Sequence, residues 1–139
     1  MTKQFTLGNN ERLKSRKQIE HLFAEGKSFV VNPYRVYFIV NSEFSMGKKV
    51  SELQFAVGVS SKNFKRAVER NRIKRLTREA WRLQKIELKE KMKKGGRSLH
   101  VFFIYTGKDL PDFKVVKDKV AVALKKLTDK IDENISSDT

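Results

Sequence analysis

From about Lys65 to Lys93 the chain runs without a glycine or a proline, and its apolar residues recur at helical spacing until Gly95-Gly96 stops the pattern. The stretch predicts one long helix, the second of the chain, because nothing in it interrupts the backbone hydrogen-bond ladder. At roughly 100° per residue, Ile73, Leu76, Ala80 and Leu83 fall on one side, flanked by Thr77 and Trp81. Asn71, Lys74, Arg75, Arg78, Arg82 and Lys85 fall on the other. That face carries no carboxylate, and the nearest, Glu79, lies to its side. Like charges on adjacent turns cost a few tenths of a kcal/mol per pair in an isolated helix, and a phosphate-binding surface is the simplest offset. Arginine outnumbers lysine there, and its planar fork can take two phosphate oxygens or stack on a base, whereas lysine is a point charge.

Around this helix the chain reads as one layered domain spanning residues 1–139. Ser15 and Gln18 have capping-box spacing, Ile19, Leu22 and Phe23 follow at helical intervals, and Gly26 supplies a stop, so a first helix is expected over about 15–25. Lys27–Val31 and Tyr34–Asn41, rich in β-branched and aromatic residues, predict two strands joined by a turn at Asn32-Pro33. Ser42–Ser51 reads as a surface loop. Leu53, Phe55, Val57 and Val59 alternate with Gln54, Ala56, Gly58 and Ser60, the period of a half-buried third strand. Leu99–Tyr105, apolar on both faces, predicts a central strand. Phe113, Val116, Val120, Ala123, Leu127 and Ile131 mark the stripe of a third helix, while 1–10 and 132–139 are expected to be flexible. The order is αβββαβα, an α+β class with a four-stranded mixed sheet.

Charge narrows the partner. Lys and Arg number 31 against 16 Asp and Glu, a formal net charge of +15, so self-repulsion opposes a compact monomer and a polyanion would relieve it. No cysteine is present, which excludes a disulfide framework and any thiolate metal site. Met1–Lys17 has no apolar run of a secretory signal, and the most apolar run, Tyr34–Val40, is broken by Arg35 and too short to span a membrane. A cytoplasmic protein is expected. His21 and His100 are far apart in sequence, and no His-x-Glu, Cys-x-x-Cys or dense carboxylate cluster has metal-ligand spacing. Neither a catalytic residue nor a metal site is expected in the chain.

The run Phe64-Lys65-Arg66-Ala67-Val68-Glu69-Arg70-Asn71-Arg72-Ile73-Lys74-Arg75-Leu76-Thr77-Arg78-Glu79 closely resembles the signature of the bacterial ribonuclease P protein component, whose core is an Arg-Asn-Arg-x-Lys-Arg block. Arg12-Leu13-Lys14 before the first helix, Phe23 at its end and Ser61-Lys62 before the basic helix extend the resemblance over about Arg12 to Arg82. From Gln84 onward only the element order agrees.

The resemblance implies a protein that assists a large catalytic RNA in removing the 5′ leader of precursor tRNA with magnesium held through the RNA, the protein alone being inactive. It implies catalytic-RNA contacts at Arg70, Asn71, Arg72, Lys74, Arg75, Arg78 and Arg82. It also implies a leader groove between the first helix and one sheet face, formed by Ile19, Phe23, Tyr37, Lys62 and Arg12. Ile19 departs from the aromatic common at its position, and Asn63 stands where a second lysine is frequent. Single strands bind on aromatic platforms with cationic walls, and Tyr37 lies on the strand face opposite Val36 and Phe38. The family further implies a rare left-handed crossover between the strands flanking the basic helix. Neither membrane nor DNA is an expected partner. The alternative reading is a basic RNA-binding or chaperone protein without a catalytic RNA.

Overall fold

The computed structural model describes residues 12–41 and 53–137. The expectations for residues 1–10 and for the whole 42–51 loop therefore lie outside the described residues. Ser15 starts helix α1 (Arg16–Glu25) by accepting the Gln18 N–H on its hydroxyl at 3.4 Å, which satisfies a donor that a helix start leaves open. Gly26 ends it for want of space, not for backbone freedom. Its φ is −77°, and a Cβ there would lie 2.4 Å from the Leu22 carbonyl oxygen and 2.8 Å from that of Phe38.

Strands β1 (Lys27–Val31), β2 (Tyr34–Asn41) and β3 (Leu53–Val59) follow where the apolar and β-branched residues place them. Helix α2 (Ala67–Gln84), helix α3 (Ile86–Gly95), strand β4 (Ser98–Tyr105) and helix α4 (Phe113–Ser137) complete the order. The sheet runs β1-β2-β4-β3, with β2 antiparallel to β1 and β4, and β3 parallel to β4. It is mixed and four-stranded, with β4 inside, as the α+β reading expects.

The β3–β4 crossover has a definite hand. Phe55 turns its ring toward Trp81 of α2 while its carbonyl accepts the Leu13 N–H at 2.9 Å from the outer edge of the sheet. For an L-residue in a strand pointing up, with its side chain toward the viewer, the backbone N–H and C=O point right. The outer edge is then on the right and β4 on the left, so the chain passes from β3 through the helices to a strand on its left. The crossover is left-handed, against a general preference of about 98% for the right hand.

Tyr34, Val36 and Phe38 of β2, Phe55 and Val57 of β3, and Leu99, Val101, Phe103 and Tyr105 of β4 face α2, α3 and α4 in one core. Trp81 stacks on Phe55 at 4.3 Å between ring centres and meets Phe103 edge-on at 5.7 Å. Burying each such side chain contributes about 1.5–3 kcal/mol, which holds α2 in one rotation about its axis.

That rotation differs from the expected one. Thr77 and Trp81, taken as flanks, are fully buried with Ile73 and Ala80, whereas Leu83 is 38% exposed. Lys85, assigned to the cationic face, is 1% exposed. The expected single helix is interrupted there, giving α2 and α3 in its place. Trp81, Lys85, Leu88 and Met92 keep helical phase straight through the interruption, so periodicity could not mark it. Gly96, at φ +65°, supplies the left-handed stop of α3. The stripe of α4 buries Val116, Val120, Ala123, Leu127 and Ile131 as expected, and the helix continues to Ser137.

Candidate nucleic-acid interface

Two separate surfaces collect the candidate residues. The first is the outer face of α2, where Arg12, Asn71, Arg75, Arg78, Glu79 and Arg82 line an open depression of about 480 Å³. Arg12, expected in the leader groove, stands here instead. Its segment bridges to Phe55 at the β3 edge, which carries the side chain to the basic helix. Burial, and then the neighbouring Arg12, hold the Arg78 guanidinium below its ordinary range. Neither guanidinium forms an ion pair among the described residues, and an anion would relieve both.

Glu79 does not stand aside from this face. Its carboxylate accepts from Arg82 Nε at 3.1 Å and from Nη2 at 2.5 Å. The hydrogen bond from Arg82 holds Glu79 below the usual carboxylate range. Arg82 is therefore partly neutralised, and the cationic pull centres on Arg75, Arg78 and Arg12.

Arg70 is half-buried and bonded to the backbone. Its Nη1 donates to the carbonyl oxygens of Phe64 and Lys65, both at 2.8 Å, tying the segment before α2 to the helix. Lys74 is half-buried, and Asn71, Arg72 and Arg75 are exposed. The residues of the arginine-rich block are thus divided between structure and surface.

The second surface lies on the sheet face opposite the core. Phe23 of α1 meets Tyr37 edge-on at 4.8 Å and Phe102 at 5.2 Å. In the register, Tyr37, Phe102 and Ala56 form one row across β2, β4 and β3, and Arg35, Ile104 and Gly58 form the next. The Arg35 guanidinium lies 5.8 Å from the centre of the Tyr37 ring. Gly58 keeps this floor flat, since a Cβ there would come within 3.1 Å of the Phe102 ring. Phe23 is 41% exposed, so the cluster is open to a ligand.

Ile19 is half-buried on α1, and Lys62 is exposed in the turn that leaves β3. Asn63 beside it donates to the carbonyls of Thr106 and Gly107 at 3.2 and 3.4 Å, fixing the turn to the end of β4. Phe102, Arg35 and Gly58 escaped the sequence reading. Phe102 sits in a run apolar on both faces, and only the pairing with Tyr37 shows which face is open. Arg35 read merely as an interruption of an apolar run.

His100 continues the same face, 5% exposed, with no hydrogen-bond partner at Nδ1 among the described residues. Burial, and then His21, lower its pKa. No group of three or more His, Cys, Asp or Glu able to hold a metal ion occurs among the described residues.

Comparison with known proteins shows the family to which the chain is similar. A family model described as Ribonuclease P fits residues 7–128. The chain is 41% identical over 113 residues to the ribonuclease P protein component of Porphyromonas gingivalis, covering 81% of this chain and 80% of that one. It is 31% identical over 123 residues to that of Chlorobium phaeobacteroides, covering 84% of each. Among solved structures it resembles the RNase P protein from Thermotoga maritima, with TM-score 0.61 and 26% identity over 84% of this chain and 96% of the other. The Staphylococcus aureus RNase P protein superposes with TM-score 0.65 at 20% identity over 84% and 94%, a likeness of fold alone.

Proposed function

The chain belongs to the ribonuclease P protein family, and from that premise we propose that α2 seats the catalytic RNA while the aromatic face beside α1 holds the 5′ leader of precursor tRNA. It is the protein subunit of a ribonucleoprotein endoribonuclease of tRNA processing. The observation that carries the division of labour is the Phe23–Tyr37–Phe102 cluster, open on one side and backed by Arg35, on a different element from the arginines of α2.

Single-stranded leader can lay its bases on these rings, because every base has a π face whatever its sequence. The cationic face of α2 suits a folded RNA, whose phosphates crowd where helices meet. Arg12, Asn71, Arg75, Arg78 and Arg82 take phosphates there in this reading, and Arg72 and Lys74 extend the contact. Lys62 and the Asn63 turn border the leader path, and Ile19 packs beside it. The protein thereby holds substrate next to the RNA that cuts it, and positioning alone can account for large rate effects.

Magnesium enters through the holoenzyme. Its ligands are assigned to the RNA, a reading compatible with the described residues, among which no group of three or more His, Cys, Asp or Glu could hold a metal ion. The reading sets the protein in the cytoplasm with RNA as its partner, and no helix among the described residues is long and apolar enough to cross a membrane. The deciding experiment adds the full chain to the cognate catalytic RNA and follows leader removal from precursor tRNA at low magnesium. The rate should rise on addition. An unchanged rate would overturn the reading.

A further inference from the structure

On the flank of α2 beside the arginine face, Val68, Asn71, Arg72, Arg75 and Leu76 line a second open depression of about 620 Å³. Its chemistry is unlike that of its neighbour. Val68 is 71% exposed on a helix whose other outward positions are almost all charged or polar. Leu76 is half-buried and packs against the core from below. The side chains of Arg72 and Arg75 and the Asn71 amide complete the lining, and all three are exposed.

A phosphate is badly served by such a floor, because apolar carbon offers the anion neither a donor nor water. A nucleobase is well served. It has two faces that lose little on leaving water, and a guanidinium plane stacks on such a face more readily than an ammonium does. Its edge needs donors and acceptors, and an amide carries both. Asn71 is the one residue of the five whose side chain can both give and accept a hydrogen bond.

We propose that this depression receives a single unpaired nucleobase of an RNA, with Val68 and Leu76 as its floor, the Arg72 guanidinium stacked on its face, Asn71 at its edge and a flanking phosphate on Arg75. The inference rests on α2 being the RNA-binding helix. In an A-form duplex the bases are stacked and the major groove is too deep and narrow for side chains to read. Only a base already out of the stack can enter. The partner is therefore an RNA helix interrupted by a bulged or looped-out nucleotide, and α2 would choose its seat by that feature as well as by charge.

The test compares two RNA hairpins that differ at one position, a bulged adenosine in one and an abasic nucleotide in the other. The phosphates are identical, so their affinity ratio for the full chain reports the base alone. The ratio should be about tenfold in favour of the base, in the range of stacking contacts measured by substitution. Val68→Ser, which removes the apolar floor at an exposed site, and Arg72→Lys, which keeps charge but loses the plane, should each bring the ratio toward one. Because each variant is compared with itself on two RNAs, any shared loss of phosphate contact cancels. A parent ratio near one, or a ratio that survives both substitutions, overturns the proposal. If the chain still binds both hairpins with strong salt dependence, the assignment of α2 to RNA stands without it. Absence of salt-dependent binding to either hairpin overturns both.

Discussion

Arg70 reaches back from the first turn of α2 to hold the Phe64 carbonyl oxygen at 2.8 Å. The same nitrogen holds the Lys65 carbonyl at the same distance, while Arg66, at the N-cap, makes no side-chain capping bond. Phe64 is buried against Tyr105, so Arg70 connects the start of α2 to the core.

Arg70 and its neighbours in the block should therefore respond differently to truncation. Arg70→Ala should lower stability by about 1.5–3 kcal/mol, the range for hydrogen bonds to charged groups, read as a fall in melting temperature. Arg72→Ala and Arg75→Ala, at exposed sites, should leave the melt unchanged and reduce the log–log salt slope of RNA binding by about 0.7 to 0.9 each. If all three changes act alike in both measurements, the division between structural and surface arginines is wrong.

A second buried pair orders α2 against the sheet. The Tyr34 hydroxyl lies 2.7 Å from the Thr77 hydroxyl, and Thr77 donates to the Ile73 carbonyl at 2.8 Å. Thr77 has only one proton to give, so Tyr34 is the donor of the pair. Burial pushes the Tyr34 phenol up to about 12. Thr77→Val would strand a buried donor at a cost of about 1–3 kcal/mol, whereas Tyr34→Phe leaves the Thr77 proton satisfied and should cost nearer 1. Denaturant titration of both variants checks the order, and a larger loss in Tyr34→Phe would reverse the donor assignment.

Much of this was legible because local chemistry and final fold agree. Asn32-Pro33 separates β1 from β2, the Leu53–Val59 alternation marks β3 and its buried face, and the Phe113–Ile131 stripe gives α4. What was hidden depends on contacts distant in sequence. Lys85 interrupts the basic helix without disturbing its phase. Arg12 joins Arg78 only because its segment pairs with Phe55 across the β3 edge. Phe102 shows its open face only through its register with Tyr37. The hand of the β3–β4 crossover opposes the general rule, and the family resemblance carried it where periodicity could not.

His100 gives the fold a pH dependence of definite sign. It is buried next to Gln54 in the β3–β4 register and faces His21 from α1. Burial first and His21 second place its folded pKa below the ordinary 6.5. The unfolded chain then binds more protons, so this contribution is complete above about pH 6.5 and is lost as pH falls toward the folded value. Urea midpoints should drop between pH 7 and pH 5, and His100→Gln should flatten that segment. Glu79, lowered through Arg82, loses its contribution only in the more acidic carboxylate range. Equal midpoints for the parent at the two pH values would contradict the buried neutral imidazole.

The two proposed RNA surfaces can be separated by one substitution in the sheet. Tyr37 is half-buried with its ring against Phe23 and its other neighbour, Arg35, over it. It lies on the face opposite Val36 and Phe38, which are buried in the core. Tyr37→Ala therefore removes a stacking platform and leaves the core intact, which circular dichroism and a thermal melt can verify. Stacking is worth about 1–3 kcal/mol per base, so the assembled enzyme should lose about fivefold or more in affinity for precursor tRNA. Mature tRNA has no leader to stack, and its affinity should stay within about twofold, less than the smallest loss expected from stacking. Assembly with the catalytic RNA should be unaffected, because that contact is proposed for α2. If both tRNA affinities fall by the same factor, or neither falls, Tyr37 packs against Phe23 and does not bind leader.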